Sequence, residues 1–481
     1  MQVDRVDQGH ERDANKQRTR RDTSRQDGDP GSSRGFSQED RIASDSKRPP
    51  GPAGLFAAYA LLNDGFSVVI FDKNDSLALD GHSHRMNHAV VDIPMRTFAG
   101  KYYANLFQML NRLEIPTQIH RFQYLFLEGS RLHAQFGSNF HRIEPCLQNG
   151  LAVNLYLLFC YLWYTIAVFL FPPRVRKTSA HTVETETLEQ YARRIALPDL
   201  FLDGYLLPLF SSVATCSHQH LRECPAAYIA NYRRKTLATH HRTVSDMGWL
   251  QTRPVEGARF ELQREVISVD SRDSRVVVQH RPAADSDLQS PTASVFDYAI
   301  RATSVAEASR IHPASAAVTS QLSTCLVRVT VTQSSKEQKA LQRFAAPSEV
   351  LMLDTREGPA GAITRSTHLH PSGVAVTVAA YSSGEYPEHS TDALHTVELI
   401  RPLPTPQSHD LLLNVFGHRS GMNKDVMNTW SWRNGAGHVY LAGGYASAGL
   451  PLLEACVRSG LEAAEAIGAK LPFDLIRPTP F

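Results

Sequence analysis

The 481-residue chain has little that would staple it together or carry it across a membrane. Its six cysteines (Cys146, Cys160, Cys216, Cys224, Cys325 and Cys456) are scattered without a repeated spacing. That excludes the disulfide framework of a small secreted domain and makes reduced thiols in an intracellular compartment the expectation. Cys216, His218, His220 and Cys224 are zinc-type donors, but their spacing matches no standard site, and a loop or short helix is the plainer reading. Charge of either sign is not in excess: 50 Lys and Arg stand against 48 Asp and Glu, a formal +2. Nothing in that balance calls for nucleic acid. No apolar core follows a basic N-terminal region, so a secretory signal is not expected, and a cytoplasmic or peripherally membrane-associated protein is. No Gly-x-Ser-x-Gly elbow lies in a strand–turn–helix context, which removes that hydrolase class. No internal repeat is visible.

What is present is concentrated in two motifs nearly four hundred residues apart. Near the N-terminus, Gly51-Pro-Ala-Gly54 opens an apolar helical stretch, and the strand-like Phe66–Phe71 follows, ending at Asp72 and Lys73. Glycines there let backbone N–H groups approach a pyrophosphate at a helix start, with Ala53 in the turn between them. An acid about twenty residues on, here Asp72, is placed to accept ribose hydroxyls. Gly81, His82 and Arg96 follow the acid within the next twenty-four residues. Near the C-terminus, Val439–Gly444 runs into Leu450–Gly460. Pro451 suits the first turn of a helix, so N–H groups around Leu453 and Glu454 would face a developing negative charge, and Gly443 and Gly444 would let the chain pass close to a phosphate.

Together these motifs resemble the FAD-dependent amine oxidase and phytoene desaturase superfamily, in patches from about residue 50 to about 470. The resemblance implies an α/β fold: an FAD/NAD(P)-binding Rossmann-like domain with an interleaved α+β substrate domain. It implies FAD as cofactor and a mid-chain strand contacting adenine, for which Arg264–Val269 fits and Val266 is the matching position. Phe296–Thr303 resembles the strand that returns to the nucleotide domain. FAD would accept a hydride while the protein orients the substrate C–H bond. No general base is exposed by the sequence, and no catalytic residue is assigned.

One departure stands out. The family turn follows a buried apolar strand and begins with a glycine pair, but Asp45–Pro50 occupies that place and Pro49 replaces the first glycine. Proline disfavours a central strand, so the first Rossmann strand is expected to be missing. Three accounts are open: an incorrect N-terminal exon, a replacement strand from elsewhere in the chain, or a degenerate relative that has lost FAD.

The remaining organisation follows from these anchors. Residues 1–48 are rich in Arg, Asp, Gln and Ser, and disorder is expected. The FAD-binding domain is read as 49–100, 251–310 and 435–470, the substrate domain as 101–250 and 311–434, and 471–481 as a tail. Within the substrate domain, residues 151–171 form an almost unbroken apolar run followed by Arg174, Arg176 and Lys177. Its length matches a bilayer crossing, but one crossing would put the two end motifs on opposite sides of a membrane. A buried helix or an interfacial one that touches a membrane surface is expected, and a transmembrane anchor stays open only if the two end motifs do not share one cofactor. Either version points to a lipophilic small-molecule substrate. Two functional classes stay open: an FAD-dependent oxidoreductase removing hydride from a lipophilic molecule or amine, and a non-catalytic relative acting as a scaffold.

Overall fold

The structure is a computed structural model describing residues 2–5, 51–75, 77, 82–86, 89–93, 96–128, 131–137, 151–177, 183–237, 241–244, 247–284, 290–345, 349–358, 361–381, 392–416 and 432–477. Two sheets organise it. The first has five strands: β1 (Gln2–Arg5), β2 (Phe66–Phe71), β3 (Arg259–Glu261), β4 (Tyr298–Arg301) and β5 (Val439–Leu441), in the order β3-β2-β1-β4-β5. β2 and β3 run parallel, as do β4 and β5. Phe66, Val68 and Ile70 are buried and Ser67 is exposed, the period of two that a sheet face imposes.

The centre of this sheet corrects one expectation and leaves another outside the structure. Asp45–Pro50, the segment in the place of the family strand, lies outside the described residues. The central position is taken by β1, antiparallel to both neighbours, with Val3 opposite Val68 on one side and Tyr298 on the other. The segment 1–48, expected to be disordered, thus contributes one strand; its other residues lie outside the description. A strand between β2 and β4 engages backbone groups that would otherwise be left without partners in the middle of a sheet.

Helix α1 (Pro52–Asn63) begins where its sequence says it should. Gly51 is extended and Pro52 sits at the first helical position, where its missing N–H costs nothing. Leu55, Phe56 and Leu61 are fully buried, so α1 is enclosed rather than amphipathic. It packs against the C-terminal helix α5 (Leu453–Ile467). At that crossing a Cβ on Gly460 would lie 2.2 Å from the Ala53 carbonyl oxygen, so glycine is required for the two helices to touch.

The second sheet has seven strands, ordered Ala393–Pro402, Thr324–Gln333, Val374–Tyr381, Ile363–Leu369, Glu349–Arg356, Phe122–Glu128 and Arg131–Gly137. Thr324–Gln333 and Val374–Tyr381 are interior strands of this sheet, each paired on both sides. The helical layer includes α2 (Ala104–Arg112), α3 (Leu151–Leu170) and α4 (Ala226–Thr236). The segment Thr187–Arg194 is also helical from Leu188, started by a capping box between Thr187 and Gln190. Among the described residues no helix qualifies as long and apolar enough to cross a membrane. α3 comes nearest, and one side of it is packed on protein through Leu157, Cys160, Tyr161, Tyr164, Ala167 and Val168.

Candidate functional site

Three cavities adjoin one another through shared lining residues. The first is lined by Gly54, Ile70, Asp72, Lys73, Val266 and Arg310, among others. It shares Ala302, Thr303 and Ser304 with the second, which Gly51, Ala53, Gly443 and Gly444 also line. The second shares Pro52, Arg401, Pro451 and Cys456 with the third, whose walls include Arg96, Tyr124, Tyr232, His368 and Leu453. Residues from both ends of the chain therefore meet along this candidate cleft.

At the first end, backbone pairing fixes Asp72: its N–H donates to the Glu261 carbonyl and its carbonyl accepts from Arg264. The side chain is buried. Oδ1 accepts from the backbone N–H and the Nδ2 of Asn74, both at 2.8 Å. Oδ2 is buried with no protein partner. Burial pushes the carboxyl up to about 6, against the opposing pull of the Asn74 bonds and Lys73. A buried carboxylate oxygen without a donor is a costly group, and a diol donating into the cavity would satisfy it. This fits the ribose of a dinucleotide.

In the middle, the start of α1 forms part of the wall. The Gly51 N–H donates to the Ala302 carbonyl at 2.9 Å, and a Cβ on Gly51 would lie 2.8 Å from that oxygen. The turn therefore cannot accept a larger residue without moving away from β4. The other wall is the Gly443–Gly444 turn, tied to α5 by Ser459, whose hydroxyl donates to the Gly443 carbonyl and accepts from its N–H, both at 2.9 Å. A helix start and a glycine turn facing one another suit an anionic linker.

The C-terminal motif brings forward the backbone N–H groups around Leu453 and Glu454; the Glu454 carboxylate is itself engaged by protein. Oε1 accepts from the N–H and Nδ2 of Asn105, at 3.1 and 2.6 Å, and Oε2 accepts from the Leu106 N–H at 3.0 Å. These donors belong to the first turn of α2, so Glu454 caps that helix. Burial raises its carboxyl, while the Asn105 and Leu106 bonds and Arg458 oppose the rise. Leu453, the residue before it, does line the third cavity. Gly81 lies outside the described residues, and His82 is described only as backbone in the strand His82–Met86, paired with Ala89–Ile93.

The third cavity contains residues that no motif announced. In the seven-stranded sheet Tyr124 stands opposite Leu351, Leu351 opposite His368, and His368 opposite Val376, and all four line the cavity. His368 Nε2 is bonded to Glu349 Oε2, which also lies 3.6 Å from His120 Nε2. His368 Nδ1 is buried without a partner. In the neutral ring, with Nε2–H given to the carboxylate, Nδ1 carries a lone pair. Burial alone would raise the Glu349 carboxyl, but the His368 hydrogen bond and the surrounding imidazoles bring it below the usual range. Tyr103, Tyr124 and Tyr232 are pushed well up by burial, so these walls stay neutral phenols. The sequence carries no signal that singles out His368, since every position from Thr364 to His368 is polar. Among the described residues no group of three or more His, Cys, Asp or Glu could hold a metal ion.

Comparison with known proteins agrees with this architecture. Residues 51–113 match the family described as an NAD(P)-binding Rossmann-like domain. No curated protein sequence matches. Among solved structures, the chain is similar to cyclohexylamine oxidase from Brevibacterium oxydans IH-35A, at 14% identity and TM-score 0.55, over 87% of this chain and 97% of that one. It is also similar to a fatty acid isomerase from P. acnes, described as CLA-producing, at 11% identity and TM-score 0.55, over 87% and 98%. A putrescine oxidase bound to putrescine matches at 13% identity and TM-score 0.51, over 88% and 98%. The chain has the fold of these proteins, an α/β architecture with a Rossmann-like nucleotide domain, in keeping with the superfamily likeness of its end motifs.

Proposed function

We propose that the chain is an FAD-dependent oxidoreductase that removes hydride from a lipophilic small molecule or amine. The observation that carries this reading is the unpartnered Asp72 Oδ2 at one end of a row of cavities that continues past two glycine turns to a chamber with tyrosine and aliphatic walls beside Arg96, Arg401 and His368. Asp72 would accept the ribose hydroxyls, Gly51, Ala53, Gly54, Gly443 and Gly444 would border the pyrophosphate and ribityl chain, and Val266 would flank the adenine. Bound there, FAD supplies the hydride acceptor. The solved structures of similar fold include two oxidases and an isomerase, which supports this class of chemistry.

The chain's own part lies in the third cavity. Tyr103, Tyr124, Val213, Leu351, Val376 and Val378 make a wall that favours an apolar substrate body and excludes water. If the ring is neutral with Nε2–H on the Glu349 carboxylate, the His368 Nδ1 would hold the lone pair that a base needs. In the oxidation of an amine or alcohol, His368 would take the N–H or O–H proton as the C–H hydride leaves. A scaffold role is the second reading, favoured by the antiparallel β1 at the sheet centre, where the family strand would run parallel.

The two readings separate on anaerobic mixing of the FAD-loaded protein with amines of one headgroup and increasing alkyl length. The oxidoreductase reading expects loss of the oxidised flavin band that grows with chain length, slowed about 100-fold in His368→Asn. A band unchanged by amines, alcohols and polyenes alike would leave the scaffold.

A further inference from the structure

The outer face of α3 is the largest feature that the cleft leaves unused. Leu155, Phe159, Leu162, Ile166, Phe169 and Leu170 are each between 48 and 70% exposed. Their spacing of three and four residues places them along one stripe of the helix, with Tyr156 and Phe171 also exposed beside them. Soluble surfaces scatter single apolar side chains, whereas a contiguous stripe of this kind marks a contact face. No charged residue occurs from Leu151 to Pro173.

The helix is firmly held from behind. On α4, the Arg233 guanidinium lies 4.6 Å from the centre of the Tyr161 ring and donates to Thr165 Oγ1 at 2.8 Å. Arg234 donates to the Val168 carbonyl through Nε at 2.6 Å. Trp163 Nε1 donates to the Ile195 carbonyl at 2.8 Å. α3 therefore presents its stripe from a fixed platform, with Leu157, Cys160, Tyr161, Tyr164, Ala167 and Val168 packed on protein behind it.

Charge at the end of the stripe identifies what covers it. Between residues 172 and 194 five cations (Arg174, Arg176, Lys177, Arg193, Arg194) stand against three acids (Glu184, Glu186, Glu189). Glu186 is bonded to Arg194 and Glu189 to Arg193, and Glu184 lies opposite Arg176 on the paired strand. Arg174 and Arg176 are exposed directly beyond the helix. An apolar stripe that ends in exposed cations is complementary to acyl chains beneath anionic headgroups.

We propose that α3 docks the protein, in the plane of the interface, on an anionic lipid surface. The docking does not depend on the oxidoreductase reading, though the two are compatible. The buried edge of α3 continues through Tyr161, Tyr205 and Phe126 to Tyr124 in the wall of the third cavity, with ring centroids 5.9, 4.8 and 6.1 Å apart.

The test is flotation of the full-length protein with vesicles of phosphatidylcholine, alone or mixed with phosphatidylserine. The native protein is expected to float with both and to favour the anionic mixture. Phe159→Asp with Leu162→Asp should lower the partition at least about tenfold without lowering the unfolding temperature. A milder pair, Phe159→Ala with Leu162→Ala, covers a folding failure of the first and should give an intermediate loss. Arg174→Glu with Arg176→Glu should remove only the preference for phosphatidylserine. Absence of flotation, an aspartate pair that floats like the native protein, or native protein that resists carbonate extraction would each overturn the proposal. So would a native dimer that does not float and that the aspartate pair dissolves, since a second copy would then cover the stripe.

Discussion

Asp72 and Glu454 are buried carboxylates that the two end motifs bring forward, and the surroundings use them in opposite ways. Glu454 has both oxygens engaged by three donors from the first turn of α2. Asp72, which lines the first cavity, has one oxygen engaged by Asn74 and the other buried with no protein donor. A satisfied buried carboxylate is a structural part, because removing it strands its donors. A half-satisfied one is a standing cost to the free protein that a ligand can relieve. On the proposed reading, the end of the cleft that is locally worse bonded is the end that binds.

This contrast is open to direct attack, and the largest effect is expected at the structural carboxylate. Glu454→Ala should lower stability by about 3–5 kcal/mol in urea unfolding, because it leaves the Asn105 and Leu106 N–H groups buried and unpaired. Nucleotide affinity of the protein that still folds should change little. A Glu454 variant of native stability would put the carboxylate outside the α2 cap.

A smaller effect, on binding rather than on folding, is expected at the other carboxylate. Asp72→Asn should weaken FAD or ADP about 10- to 100-fold by calorimetry, the worth of charge-assisted hydrogen bonds to one oxygen. It should leave the unliganded protein as stable or more stable, since the buried charge is gone. If stability falls while affinity holds, the two carboxylates have exchanged roles.

The smallest effect is a pH dependence. Asp72 rises from 3.8 in an ordinary setting to about 6 in the fold, so the folded state holds its proton more tightly than the unfolded chain does. The unliganded protein should therefore lose stability as pH rises from about 4 to about 6 through this group. Ribose hydroxyls prefer the ionised form, so ADP affinity should increase with pH through about 6 and then level. The inflection should be missing from Asp72→Asn.

Legibility in the sequence divides along the same line. The nucleotide end could be read because its requirements are local: Gly51 before Pro52, a strand after the helix, an acid at the strand's end, and a Gly–Gly turn before a second helix. Glu454 could not be read, since its partners lie 348 and 349 positions earlier in the chain and nothing near it in sequence points to α2. Gln2–Arg5 carries no strand pattern of its own, and only its neighbours in the sheet make it a strand. The third cavity was hidden because its wall is a transverse row, Tyr124, Leu351, His368 and Val376, with each residue from a different strand. His368 reads as an ordinary strand histidine until Glu349 and the cavity are placed beside it. The apolar run 151–171 was visible at once, but which of its side chains face water depends on α4, more than sixty residues on.

The central claim is that the cleft holds FAD through Asp72, despite the unusual strand at the centre of the sheet. The most direct measurement is an equilibrium titration of FAD, followed by quenching of its fluorescence, into the full-length protein and into Asp72→Asn. The account predicts saturable one-to-one binding by the native chain and a weakening of about 10- to 100-fold in the variant. No binding by a folded native chain, or equal binding by both proteins, would contradict it.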